Sequence, residues 1–524
     1  MARDIQSRII LQGTLVARTP LHVGGLGEDV ETDLPLARDG ADRLYVPGTS
    51  LTGALRQWCT ARFDATLVES VWGFQEGDRG HASHVLVHDA VIGNADSVAV
   101  EIRDGVGIDR GRGAAAEHIK YDRAVLPRGT RLPLRLEFEV SRDRDRKQLL
   151  GMVAALRDAL TTCELRFGAS KTRGLGRVEL LAVTMTEQVF SAREGILKLL
   201  KSGGDGEPIE NAEITYALNA FPPRESPRLE ITIDWRPAGP LMVKAGFDGN
   251  AVDMLPLVSG VDGGLALVLP GSSVKGALRS HGERIVRTVL DRELSKQSDP
   301  KKKFLHDLEL PLIDELFGLR GLSEEDIKKR TANIPESAPM PGLGALGIDD
   351  CYGTHQIAAE QWQEIVSAQT DRDLRAGLDG ASLQPWQEAY HVAVDRWTGG
   401  AAEGFLYTVL EPHRAEWEPI RLTVDLGRLA KPHRLPAVAL LLQVLRDLVQ
   451  DRVPLGFATH RGMGAVQVSS ITIDPRGTDD SLKALGGTIY ENGQPTVVLT
   501  KSRLALNQSW QAWIEVARRK GGAA

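Results

Sequence analysis

The chain has 524 residues, of which 42% are hydrophobic and 25% charged, a length and balance suited to two to four domains built around apolar cores. Its net charge of −7 argues against a generally basic nucleic-acid binder and leaves room only for a local basic groove. The three cysteines are far apart and odd in number, which predicts a reducing, cytoplasmic setting without a disulfide framework. No stretch approaches ~20 apolar residues, so neither a membrane span nor a signal peptide is expected.

Read in chain order, SRIILQGTLVAR (7–18) alternates apolar and polar residues and predicts a strand that ends in TPLHVGG (19–25). An acidic loop follows (24–40) with Asp29, Asp33 and Asp39. YVPGTSLTGALRQW (45–58) opens a helix at Pro-Gly, with Ser or Thr as the expected cap. Then come VWGFQ (71–75), the strand VLVHDAVI (85–92), GVGIDRGRGAAAEHIKYDRAVLP (105–127) and the strand LPLRLEFEV (132–140). A helix over 144–162 and the glycine-rich turn RFGASKTRGLGRVEL (166–180) close the set.

The same series then recurs: RLEITIDWRP, GPLMVKAG, an acidic loop with Asp248, Asp253 and Asp262, VLPGSSVKGALRSH, LFGLR, GALGIDDCYG, HVAVDRWTGGAAEGFLYTVLEP, a late helix over 434–451 and PLGFATHRGMGAVQV (454–468). PGTSLTGALR and PGSSVKGALR agree at seven of ten positions, offset by 271 − 48 = 223 residues. An internal repeat in one order means two homologous halves. The pattern predicts an α+β fold, with helix-bearing antiparallel sheets over 1–195 and 227–475. The glycine- and proline-rich stretch 196–226 is the expected linker, and 476–524 is an extension with no counterpart in the first half.

Three constellations carry chemistry. The glycine-rich turns set Lys171 and Arg173, and His460 and Arg461, beside backbone that can approach a phosphate. They fit neither the Walker loop nor the dinucleotide fingerprint. The helix starts carry Ser50 and Arg56, and Ser273, Lys275 and Arg279, where unpaired N–H groups attract anions. In the acidic loops, 33 − 20 = 13 and 253 − 240 = 13, so Asp33 and Asp253 stand equally far from the paired prolines; a loop carboxylate can hold a divalent ion or act as a base. His81, His84 and His88 lie close together, but a zinc site needs about four ligands. No nucleophile elbow or catalytic cysteine signature is present.

PLHVGG, YVPGTSLTGALR, WGF, VHDA, GIDRGRGAA and GASKTRGLG in this order resemble the RAMP superfamily of CRISPR-associated proteins, over about 8–185 and 228–470. Each half is similar to the Cas7-type backbone subunit of type III effector complexes, and the pair to the fused double subunits of type III-D-like systems. The resemblance implies two tandem RRM-like (ferredoxin-like) RAMP domains with inserted thumb and finger elements. It implies subunits that stack along a guide (CRISPR) RNA beside other effector subunits in the cytoplasm, gripping guide phosphates. It further implies an endoribonuclease that cuts paired target RNA with Mg²⁺ or Mn²⁺. Asp33, and Asp253 in the second half, would be catalytic and metal-binding. Ser50, Arg56, Lys171, Arg173, Ser273, Lys275, Arg279, His460 and Arg461 would bind RNA. The alternatives are a non-catalytic scaffold, or a guide-processing ribonuclease with a histidine base. Against the latter, His22 in the first half is answered by Met242.

Overall fold

The computed structural model describes residues 4–25, 32–94, 99–142, 145–201, 203–296, 298–299, 303, 306–307, 309–319 and 342–521. Asp29 and most of the long segment near 320–345 therefore lie outside the described residues. Helices and strands are mixed, as an α+β fold requires. The chain forms two units: Met1–Glu101, Ala124–Lys171 and Leu175–Glu225 make the first; Ile102–Arg123, Thr172–Gly174 and Ser226–Ala524 make the second. The second unit thus takes in two short segments of the first repeat.

In chain order the first repeat supplies β1 (Ile5–Ala17), α1 (Gly48–Arg62), α2 (Ala65–Trp72), β2 (Val85–Val87), a hairpin of β3 (Glu101–Ile108) and β4 (Ala115–Val125), β5 (Arg131–Ser141), α3 (Arg146–Thr161), β6 (Arg173–Gly174) and β7 (Val178–Val189). Strands β7, β1, β5 and β2 lie side by side in that order in the first unit's sheet. β1 pairs antiparallel with both neighbours, Ile9 facing Glu187 on one side and Phe138 on the other. Its inward residues Ile9, Leu11 and Leu15 pack with Phe138 and with the apolar face of α3 in one core. The breaker-rich linker stretch itself carries structure: α4 (Arg193–Lys201) and α5 (Asn211–Ala220) form there, and Ile214 and Ala217 of α5 are buried in the first unit's core.

The second repeat supplies β8 (Arg228–Pro237), α6 (Gly271–Leu290), β9 (Leu346–Asp349), a hairpin of β10 (Gln387–Val394) and β11 (Ala401–Glu411), β12 (Ile420–Asp425), α7 (Arg434–Val449) and β13 (Val466–Arg476). The second unit's sheet runs β6, β9, β12, β8, β13, then β14 (Gly487–Glu491). The extension also forms α8 (Val497–Gly521), whose Leu506, Trp510, Trp513 and Ile514 join this unit's core. Among the described residues no helix is long and apolar enough to cross a membrane.

The repeated Pro-Gly helix start is explained by packing. A Cβ on Gly48 would lie 2.3 Å from the Val87 carbonyl oxygen, and one on Gly271 2.2 Å from that of Ile348, so only glycine fits. The expected Ser/Thr cap is absent, since neither Pro47 nor Pro270 is followed by a side-chain cap. An aspartate just past the neighbouring strand does the work. Asp89 Oδ1 accepts the Gly48 N–H at 2.6 Å, and Asp350 Oδ1 accepts the Gly271 N–H at 2.8 Å. These contacts match Asp89 with Asp350 and shift the ungapped alignment of VHDA on GIDD by one residue.

The two copies differ in surroundings. Asp89 is exposed, whereas Asp350 is buried and also paired with the buried Arg103 of β3. Burial pushes the Asp350 carboxyl up, against the pull of Arg103 and the Gly271 amide. Asp350→Ala would strand a buried guanidinium and is expected to cost about 3–5 kcal/mol. Asp89→Ala removes an exposed helix cap and should cost about 1 kcal/mol. Urea denaturation of the two variants measures the difference.

Candidate nucleic-acid interface

The two glycine-rich turns superimpose in their bonding. Gly168 and Gly456 have φ of 77° and 85°, and a Cβ on either would meet the carbonyl oxygen of His22 or Met242 at 2.1 or 2.3 Å. The next residue donates its N–H to that same carbonyl: Ala169 to His22 at 2.8 Å, Phe457 to Met242 at 2.7 Å. Further on, Gly176 and Gly464 donate to Pro20 and Pro240 at 2.8 and 3.0 Å. The glycines are thus required by the close approach of the turn to the end of the opening strand, at left-handed φ. The turn projects its central residues, Lys171 to Gly174 or Thr459 to Gly462, from a rigid base.

Those central residues have different fates. In the first copy, Arg173 and Gly174 form β6 and pair parallel with Ile348 and Asp349 of β9. A Cβ on Gly174 would lie 1.9 Å from Asp350 Oδ1. In the second copy, Thr459–Arg461 form one 3-10 turn, and nothing lies within 4 Å of a Cβ placed on Gly462. The Arg461 side chain is exposed. Its guanidinium donates to the Tyr407 hydroxyl and sits over the Tyr407 and Phe457 rings at 5.6 and 5.4 Å. The His391 ring stacks on Tyr407, centroids 5.2 Å apart. His460 is exposed beside them. Exposed cations among aromatic faces can hold a phosphate and a base together.

The helix-start residues behave otherwise. Lys275 is only 5% exposed, and its ammonium donates to the carbonyls of Leu346 at 2.6 Å and Thr172 at 3.2 Å. Burial drives it well below the usual lysine range, with Arg173, Arg279 and Arg428 adding like charge. Arg56 donates to the Gly73 carbonyl at 2.8 Å, and Arg279 donates to the equivalent Gly318 carbonyl and to Glu283. Both arginines therefore tie the helix to the glycine of the WGF and LFG motifs. Ser50 and Ser273 are half-buried, and their amides point back to Pro47 and Pro270 at 2.9 and 2.8 Å. Five of the nine residues read as RNA contacts thus serve the helix start itself; Lys171, Arg173, His460 and Arg461 stand on the turns. Arg123 of β4 was not read from sequence. It is half-buried beside Tyr121 and Arg173, and burial, with Arg173, lowers its pKa against the opposing pull of Tyr121.

Asp33 and Asp253 are both exposed and occupy matching places. The residue after each gives its carbonyl to the returning strand of its repeat's hairpin region: Ala124 N–H donates to Leu34 at 3.1 Å, and Leu410 N–H to Met254 at 3.0 Å. The Asp253 carboxylate is also held, since Oδ2 accepts the Thr408 N–H at 2.7 Å and its hydroxyl at 3.0 Å. Asp122 stands where the second repeat has Thr408. His22 is buried at the end of β1, with Nδ1 2.7 Å from the Ala124 carbonyl. His84 and His88 face Glu139 and Glu137 at 3.6 and 2.9 Å. Among the described residues no three His, Cys, Asp or Glu side chains converge as a metal cage.

Comparison with known proteins fits this doubled geometry. The RAMP superfamily model matches residues 14–179 and 239–332, one stretch in each repeat. The chain belongs to the RAMP superfamily. A 55-residue stretch is 36% identical to the CRISPR system Cms endoribonuclease Csm3 of Methanocaldococcus jannaschii, covering 10% of this RAMP chain and 22% of that relative.

The burial contrast gives a test. Arg461→Ala is expected to weaken binding of a single-stranded RNA and to lower the slope of log K against log salt by about one. Lys275→Ala should leave that slope unchanged and cost about 2–4 kcal/mol of stability, through two orphaned carbonyls and a cavity. Filter binding over a salt series, with urea denaturation alongside, separates the two.

Proposed function

We propose that this protein is a guide-RNA-binding backbone subunit of a type III CRISPR effector complex, in which two fused Cas7-type, ferredoxin-like halves each hold one repeat unit of the guide in the cytoplasm. The observation that carries the reading is the matched placement of Asp33 and Asp253, one per repeat, each exposed and bonded through the next residue to its own hairpin region. The similarity to Csm3, named an endoribonuclease, supports RNA cutting. The exposed Arg461, lying against the half-buried Tyr407 and His391 rings, supports contact with RNA. The type III-D-like fusion fits a chain with two repeats.

In this reading, target RNA pairs with the guide beneath the hairpins, and one nucleotide is turned out of the stack at each site. Its 2′-hydroxyl attacks the adjacent phosphate in line, breaking the bond to the next 5′-oxygen, which takes a proton from water, and leaving a 2′,3′-cyclic phosphate. Asp33 takes the proton from the 2′-hydroxyl, a role worth about 10²–10⁴-fold, and the surrounding turns fix the phosphate relative to it. A Mg²⁺ or Mn²⁺ ion would neutralise charge on the phosphate. Among the described residues no cage of three or more such side chains forms there, so phosphate oxygens and water would complete the shell around Asp33 or Asp253, as is usual for Mg²⁺.

A scaffold role has specific support in the second half, where two donors from Thr408 already occupy the Asp253 carboxylate. Guide processing with a histidine base is disfavoured by the burial of His22. The test is cutting of complementary RNA by the reconstituted, guide-loaded complex in Mg²⁺, Mn²⁺ or chelator. Asp33→Ala is expected to slow one cut by about 100-fold or more, and Asp253→Ala to remove its neighbour. Loss with Asp33→Ala alone assigns the second half to binding only. Cuts that survive both substitutions refute catalysis by this chain.

A further inference from the structure

The foot of the β10–β11 hairpin holds a cavity that shares no residue with the Asp253 loop or the 459–462 turn. Three segments wall it: 353–357, 382–386 just before β10, and 413–416 just after β11. They are tied to one another. Thr354 donates its N–H to the Glu416 carbonyl at 2.9 Å, and His355 Nε2 donates to the Ala381 carbonyl at 3.0 Å. The space is about 340 Å³, within the ~300–1,000 Å³ usual for small-ligand pockets. Ile357, Leu383 and Trp386 line it and are buried. Thr354, His355, Ser382, Arg414 and Glu416 line it and are exposed, so the cavity has an apolar floor and a polar rim.

The rim combines one cation with several acceptors. Among the described residues nothing pairs with the Arg414 guanidinium or the Glu416 carboxylate. A carbonyl only accepts, so His355 Nε2 carries the ring proton and the neutral ring keeps Nδ1 as an acceptor. His413 Nε2 faces Glu411 Oε2 at 3.2 Å, which leaves its Nδ1 an acceptor in the same way. The backbone of the rim is strained. Ser382 and Arg414 hold left-handed φ of 58° and 57°, a conformation costly for residues with a side chain. Two residues after the proline that follows each hairpin, the first repeat has Gly129, at φ 90°, and the second has Arg414. The first repeat makes its turn with the residue suited to it; the second keeps a strained, unpaired arginine at the mouth of a cavity.

We propose that this cavity binds a guanine nucleotide, with the base against the apolar floor and the 5′-phosphate on Arg414. Guanidinium and phosphate form a strong, charge-assisted pair. Guanine's Watson–Crick edge carries two neighbouring donors, N1–H and the 2-amino group, and Glu416 with an imidazole Nδ1 supplies acceptors for them. Adenine presents a bare N1 at that edge, which a carboxylate repels. The same nucleotide can arrive free or as the 5′ end of an RNA strand, and the chemistry that recognises it is the same. The inference does not depend on the RNA-cutting reading.

Isothermal titration of the RNA-free full chain with GMP, AMP, guanosine and the 5′-phosphorylated trinucleotide pGUU tests this. GMP should bind with a dissociation constant on the order of 10–100 μM. AMP and guanosine should each bind about tenfold more weakly or worse, one lacking the donor edge and the other the phosphate. Arg414→Gly should weaken GMP by about tenfold and leave guanosine as it was. Its thermal melt should be unchanged, because glycine suits the left-handed turn. Glu416→Gln should bring GMP and AMP together. Binding of pGUU as tight as GMP, and equally sensitive to Arg414→Gly, supports the site with a strand end as its ligand; much weaker binding of pGUU supports it with a free nucleotide. No binding of GMP or pGUU up to about 1 mM, equal affinity for AMP, or affinity untouched by Arg414→Gly overturns the proposal. So does GMP binding that is lost with Arg461→Ala and kept with Arg414→Gly, which would put the nucleotide on the glycine-rich turn.

Discussion

The structure depends on one close contact made twice: a helix whose first glycine is pressed against a strand carbonyl while an aspartate just past that strand takes the glycine's N–H. Gly48 with Val87 and Asp89, and Gly271 with Ile348 and Asp350, fix the helix start to the sheet edge. From that anchor the arginine about two turns along reaches the glycine carbonyl at Gly73 or Gly318, which sets the path of the chain into the next strand. The glycine-rich turn closes the other end, locked under the carbonyl at His22 or Met242. Everything offered to solvent, the acidic loops and the turn tips, hangs from these fixed points.

Much of this was legible in the residues. The repeat announced two homologous sets of elements. Period-2 strands such as Ile9–Leu11 and apolar helix faces such as that of α7 pack as patterned. Spacing from Pro20 and Pro240 matched Asp33 with Asp253, and the next residue of each accepts an equivalent backbone bond, Leu34 from Ala124 and Met254 from Leu410. The chemistry of the helix start was misread for a physical reason. A cation near a helix N-terminus looks the same in sequence whether it faces a phosphate or a carbonyl. Only packing shows that Arg56 and Arg279 reach glycine carbonyls and that Lys275 is enclosed. The cap was misassigned because its aspartate lies 41 residues from Gly48 and 79 from Gly271, beyond any local rule. No local signal could reveal that residues 102–123 and 172–174 join the second unit, since exchange of segments between repeats is a property of the surfaces they meet.

The duplication is thus chemically unequal. One copy of the motif is buried and charge-paired, with Arg103, Asp350 and Lys275 enclosed; the other keeps Asp89 and Thr52 at or near the surface. Identical letters in PG-S--GALR carry different energetic weight in the two halves, because burial multiplies the cost of a missing partner.

The lending of segments 102–123 and 172–174 to the second unit also bears on how the chain is made. Synthesis delivers Arg103 and β6 well before the surface they complete. Until residues 226–350 emerge, a hairpin and a turn wait without a seat, and a fragment beginning at residue 226 would bury Asp350 without its guanidinium and leave β9 an open edge. The two repeats are separable in sequence and inseparable in folding: the nascent first half is a stencil against which the second is finished.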